Sequence, residues 1–175
     1  MKKERQNLGE KFTVKGIILL ILIIAFMLGL FLTIINIGAD KTPATNEQVY
    51  TALEKNEFSP SDFTEEYAEE YPERKIVSVI GHRNGDMRIE FFELEDNESA
   101  RTIYSIIDQI LIDARGNDHR ADRRTNMQSY AIHTYYVDDK NYWLARIDNT
   151  VIYGFCYDDD YERMLTVMTE LGYTD

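Results

Sequence analysis

Two stretches of this chain gather side chains suited to recognising charge or aromatic surfaces, and a third to binding a cation. In the first, His133, Tyr135, Tyr142, Arg146 and Tyr153 recur at alternating positions of β-rich runs. A period of two places such residues on one side of a sheet. Pairing the runs through their turns sets His133 directly across from Arg146. An aromatic surface carrying two nitrogen bases suits a glycan ring, a peptide or another protein's helix. The second stretch is the loop from Asp113 to Arg124, where Arg115, Arg120, Arg123 and Arg124 stand out from an acidic background. Guanidinium forks match carboxylates and phosphates, so this loop reads as a contact for an anionic partner, tempered by the interleaved Asp113, Asp118 and Asp122. The third is Asp158-Asp159-Asp160, where the need for N-caps on a following helix accounts for the carboxylates better than a cation does.

Other chemistry finds little support. His82, His119 and His133 fall in separate runs with no HExxH pair, and Cys156 is alone, so no metal-ligand spacing arises. GxSxG, P-loop and GxGxxG patterns are absent from the sequence. Carboxylates are too abundant to nominate an acid/base couple. The reading is a binding module of unspecified ligand, with no cofactor and no metal. The alternatives are an envelope-polymer hydrolase, with His133 beside a carboxylate in a pocket, and a structural subunit of a membrane complex.

What positions these residues begins with residues 16–37, GIILLILIIAFMLGLFLTIINI, which carry no charge. As a helix, 22 residues reach about 33 Å, enough to cross a bilayer's hydrocarbon core. Ile17 to Leu32 show no polar stripe, unlike a buried core helix. The apolar region also exceeds the 7–15 residues usual in a cleaved signal peptide, although Ile37-Gly38-Ala39 resembles a weak cleavage site. Lys2, Lys3, Arg5, Lys11 and Lys15 precede the span against Glu4 and Glu10. Basic residues stay on the cytoplasmic side, which predicts a cell-membrane protein with its N-terminus inside and the remainder outside. Ala25 and Gly29, four apart, offer a small-residue contact through which two spans can pair as a homodimer.

The expected organisation is therefore a cytoplasmic basic head (1–15), a transmembrane helix (16–37), a spacer (38–44) and an extracytoplasmic domain (45–175). The chain has 19 basic and 31 acidic residues; setting aside five and two in the head leaves 14 against 29, a net charge of −15. That excludes nucleic acid, whose phosphates are bound by neutralisation. The expected partners are the lipid bilayer along the span and a protein or cell-envelope component outside. A single cysteine in an exported domain means no internal disulfide. Cys156 lies in an apolar strand pattern and reads as a buried thiol.

Within the domain, Thr45 and Gln48 form a capping box opening a first helix, and Ser59-Pro60 opens a second that ends at Tyr71-Pro72. Residues 75–83 and 86–94 form a hairpin about Asn84-Gly85, a turn whose residues both favour positive φ. Ala100, Ile103, Ile107, Ile110, Leu111 and Ala114 stripe a helix over 98–114, capped by Asp96 or Asn97 and stopped by Gly116. Three strands follow over 130–138, 141–148 and 150–157. A last helix carries Tyr161, Met164, Leu165, Met168 and Leu171 on one side and ends at Gly172. Two striped helices need one sheet face to cover. The predicted fold is α+β, a two-layer antiparallel sheet and helix domain of order ααββαβββα, with Trp143 on the core face.

The lysine-rich head, the long span, the Asp148-Asn149-Thr150 turn and the closing Leu171-Gly172-Tyr173 together resemble the layout of small single-pass membrane-anchored proteins of Gram-positive bacteria. The resemblance implies an anchored domain and no particular activity.

Overall fold

The computed structural model describes residues 22–27, 41–115 and 121–174. The chain divides into two units, residues 1–40 and 41–175. In the first, residues 22–27 are helical, with Leu22, Ile23, Ile24, Phe26 and Met27 exposed. The rest of the expected 16–37 span, Gly29 included, lies outside the described residues. Among the described residues no helix is long and apolar enough to cross a membrane.

In the second unit the Thr45 and Gln48 capping box forms as expected and opens α1 (Asn46–Lys55). A short edge strand, β1 (Ser61–Asp62), then precedes α2 (Thr64–Glu70), and Pro72 begins a single 3-10 turn. Strands β2 (Ile76–Arg83) and β3 (Met87–Leu94) form the hairpin, and α3 (Asn97–Arg115) follows. Next come β4 (Ala121–Asn126), β5 (Tyr130–Val137), β6 (Lys140–Ile147), β7 (Thr150–Tyr157), the 3-10 turn Asp158–Asp160 and α4 (Tyr161–Glu170). The seven strands make one antiparallel sheet in the order β1-β2-β3-β7-β6-β5-β4. The α+β class holds, with two more strands than expected.

The two-layer expectation does not hold, because helices cover both faces. On one face α1 and α4 pack Val49, Leu53, Met164 and Met168 onto Phe91, Ile132, Trp143 and Ile152. On the other, α2 and α3 pack Tyr67, Ala100, Tyr104 and Leu111 onto Val79, Phe92, Ala131, Leu144 and Val151. The sequence carries a sign of this in paired apolar residues such as Phe91-Phe92 and Val151-Ile152, since a strand buried on both faces reads as a continuous apolar run. Trp143 lies on the α1 and α4 face, its indole N–H donating to the Tyr173 carbonyl at 3.0 Å, while the Tyr173 hydroxyl meets Thr150 at 2.6 Å. Gly154 lets α4 approach closely: a Cβ there would stand 3.0 Å from Met168 and 3.1 Å from Met164.

Register corrects several pairings. The β5–β6 turn uses Asp138 and Asp139, both at positive φ, so Val137 pairs with Lys140 and His133 with Leu144. Arg146 lies opposite Ala131 instead of His133. The shift is two residues, so every side chain keeps its expected face. In the β2–β3 hairpin Arg83 pairs with Arg88, and the Asn84 side chain accepts from the N–H groups of Asp86 and Met87. Gly85 does not adopt the positive φ expected of it. A bulge between Ile76 and Ser78 turns Ile76 to the α3 face. Gly172 does take the left-handed cap, at φ +81°. Cys156 is fully buried, and burial pushes its thiol up to about 12.

Candidate functional site

Asp96 starts α3, its carboxylate accepting the Ser99 N–H at 2.7 Å. The helix rotates from the expected stripe. Ala100, Tyr104, Asp108 and Leu111 are buried, whereas Ile110 is exposed. Tyr104 and Asp108, one turn apart, are thereby aimed at the sheet.

Beneath them, β4 and β5 set Arg124 beside His133. The Asp108 carboxylate clamps both, one oxygen 2.5 Å from the His133 Nδ1 and the other 2.5 Å from an Arg124 nitrogen. His133 is sealed, at 1% exposure. Arg146, on β6, is also buried; it donates to the carbonyls of Ser129, Met127 and Gln128 at 3.2, 3.4 and 3.3 Å. Arg101 adds a 2.7 Å bond to the Gln128 carbonyl. Burial, followed by the Arg101 charge, lowers the Arg146 pKa. Arg101, Tyr104, Asp108, Arg124 and Arg146 line a groove of about 460 Å³.

A second hollow, of about 290 Å³, opens under the same helix. Ile103, Ile106, Ile107 and Ile110 of α3 form one wall, facing Tyr71, Ile76 and Phe92. Its polar end is Glu90, 1% exposed, whose oxygens meet Arg83, the Arg88 Nε at 2.8 Å and the Tyr67 hydroxyl at 2.8 Å. Arg83 also reaches Glu66 at 2.7 Å. Burial and the adjacent Glu90 raise the Tyr67 pKa above the usual phenol range. Tyr153 lines this hollow, and burial pushes its hydroxyl up to about 12.

The expected aromatic surface is therefore not an open face. Tyr135 is buried and stacks on the half-buried Tyr142, with ring centroids 4.7 Å apart. Of its members Arg146 lines one hollow and Tyr153 the other, while His133, Tyr135 and Tyr142 line neither. The expected arginine loop is in part strand β4. There Arg123 and Arg124 are both exposed, and Arg124 alone reaches the groove. Arg115 ends α3, its side chain outside the described residues, as is all of Arg120. Asp160 takes the N-cap position of α4 without a side-chain capping bond and pairs with Arg163 at 2.8 Å instead.

Sequence reasoning missed Arg101, Tyr104, Asp108, Tyr67 and Glu90 as site residues. One signal was present: Arg101, Tyr104 and Asp108 recur at i, i+3 and i+7, a polar line beside the apolar stripe.

No family model matches the chain, and none of the curated proteins matches it. Two solved structures are similar in outline. One is a GTP binding regulator from Thermotoga maritima, at 8% identity and a TM-score of 0.44, covering 75% of this chain and 90% of that one. The other is the extracellular domain of PknH from Mycobacterium tuberculosis, at 8% identity and a TM-score of 0.34, covering 75% and 93%. At these scores neither lends its function to this chain.

Proposed function

We propose that this chain is a binding module held on the outer side of a cell membrane, taking an apolar group of its ligand into the hollow beneath α3. The apolar run 16–37 and the basic residues before it support the anchoring and the orientation. The observation that carries the binding reading is the hollow itself, with aliphatic and aromatic walls closed at one end by the Glu90 cluster. Ligand pockets combine such walls with a few fixed polar groups, and about 290 Å³ accommodates one aromatic or branched side chain or a short acyl segment.

A photo-crosslinker at Ile106 of the full chain, activated on intact cells, tests this. It should yield an adduct of discrete mass, whereas the same group at the exposed Thr51 of α1 should not. Filling the hollow with Ile107→Trp should abolish the adduct while the circular dichroism spectrum stays unchanged. An adduct that survives the filling, or no discrete adduct at Ile106, refutes the reading. The hydrolytic alternative is not adopted. His133 does meet a carboxylate, but it is sealed and lines neither hollow.

A further inference from the structure

The α3 groove at the β4–β5–β6 end has a charge pattern foreign to the rest of this acidic domain. Among the described residues, three guanidinium groups, those of Arg101, Arg124 and Arg146, line it against the single carboxylate of Asp108. Asp108 is already engaged by His133 and Arg124. Arg146 is 3% exposed, yet among the described residues its bonds run to backbone carbonyls alone, so its charge is buried without a carboxylate of theirs in contact. Asp148 acts on it only as the weakest of the influences on its titration. Buried cations are ordinarily paired.

Tyr104 supplies an independent observation. It is 7% exposed, lines the groove, and its hydroxyl has no hydrogen-bond partner among the described residues. The charges acting on that hydroxyl are those of Asp108, Arg124 and Arg146, which places it among them. A buried donor without an acceptor lowers the stability of the fold. It is retained next to cations whose common complement is an acceptor-rich anion.

We propose that this groove is an oxyanion site, binding a phosphate monoester or an equivalent phosphate-bearing head group between Arg101, Arg124 and Arg146, with the Tyr104 hydroxyl donating to it. Among the described residues three positive charges against one negative leave +2, which balances a phosphate monoester dianion. Planar guanidinium forks present paired N–H donors to its oxygens. Arg101 and Arg124 are exposed at the rim and Arg146 lies at the base, so an entering anion meets the exposed cations first and the buried one last. The site is separate from the apolar hollow and stands or falls independently of it.

The test is calorimetric titration of the full chain, reconstituted in neutral phosphatidylcholine discs, with inorganic phosphate and with glycerol phosphate at constant ionic strength set by chloride. Saturable one-to-one binding is expected. It should weaken at least tenfold in Arg146→Met and Arg124→Gln and severalfold in Tyr104→Phe, and stay unchanged in Lys55→Gln on the opposite face. Absence of saturable binding, or wild-type affinity in Arg146→Met, overturns the site. Should Arg146→Met fail to fold, wild-type affinity in both Arg101→Gln and Tyr104→Phe overturns it equally. Discs containing phosphatidic acid distinguish the source. If the glycerol phosphate isotherm disappears there, the site takes a lipid head group; if it persists, it takes a soluble monoester. Both results sustain the oxyanion assignment.

Discussion

Two carboxylates lie buried under α3, Glu90 and Asp108, and their surroundings differ in one respect. Around Glu90 the charges balance: Arg83 and Arg88 face Glu90 and Glu66, and the Tyr67 hydroxyl completes the set. Around Asp108 the cations exceed the anions among the described residues, and a neighbouring hydroxyl has no partner among them. A charge-balanced network fixes the register of the elements that meet in it, even where single donors such as Arg83 Nη2 and Arg88 Nε lack a hydrogen-bond partner among the described residues. An unbalanced one keeps part of its electrostatic complement in reserve. The comparison teaches that burial of charge alone does not mark a site; the unfilled remainder does.

The largest effect should come from breaking the balanced network. Glu90→Gln leaves the half-buried Arg83 and Arg88 beside a neutral group, and removing the fully buried partner of such a cluster costs about 3 kcal/mol. Urea unfolding of the variant measures it, and a loss below about 1 kcal/mol would dissolve the distinction between the clusters. Arg146→Met should cost less, about 1–3 kcal/mol, because it removes carbonyl bonds and relieves a charge that no carboxylate offsets. If it costs more than Glu90→Gln, the cation is structural.

Asp96→Ala examines the helix that roofs both clusters, and should lower the urea midpoint by less than either buried substitution. Its pH dependence has a definite sign. The Ser99 N–H, followed by Lys75, holds the folded Asp96 carboxyl down to about 2, against an ordinary 3.8. The stabilisation is thus complete above the ordinary value and disappears as pH falls from about 4 towards 2. Wild type and variant should differ at pH 6, draw together towards pH 2 and converge below it. The smallest effect belongs to Tyr104→Phe. Removing a buried hydroxyl that makes no bond should leave stability unchanged within about 0.5 kcal/mol, or raise it, in the absence of phosphate. A clear loss would reveal a partner for that hydroxyl and remove the asymmetry.

Much of the local structure was legible in the residues. The capping box at Thr45, the cap at Asp96, the left-handed Gly172 and the buried Cys156 are each decided within a few residues or by the apolarity of one run. Strand β4 was not, because ADRRTN is polar after its first residue, as suits an edge strand. The site was legible only in fragments. Arg146 and His133 were read as part of one face and Arg124 as part of a loop, while Tyr104 and Asp108 went unnoticed on a helix judged by its aliphatic stripe.

The sequence by itself determined periodicity and parity: which apolar runs are strands, which of their side chains share a face outside the β2 bulge, and that two-residue slips at the Asp138-Asp139 turn change partners without changing faces. Those follow from backbone geometry repeated over a few residues. Tertiary structure alone decided that α3 and α4 cover opposite faces, and that Arg101, Arg124 and Arg146 converge on one groove with a single carboxylate. These depend on packing between segments tens of residues apart, where burial is shared among alternatives that the local pattern satisfies equally well.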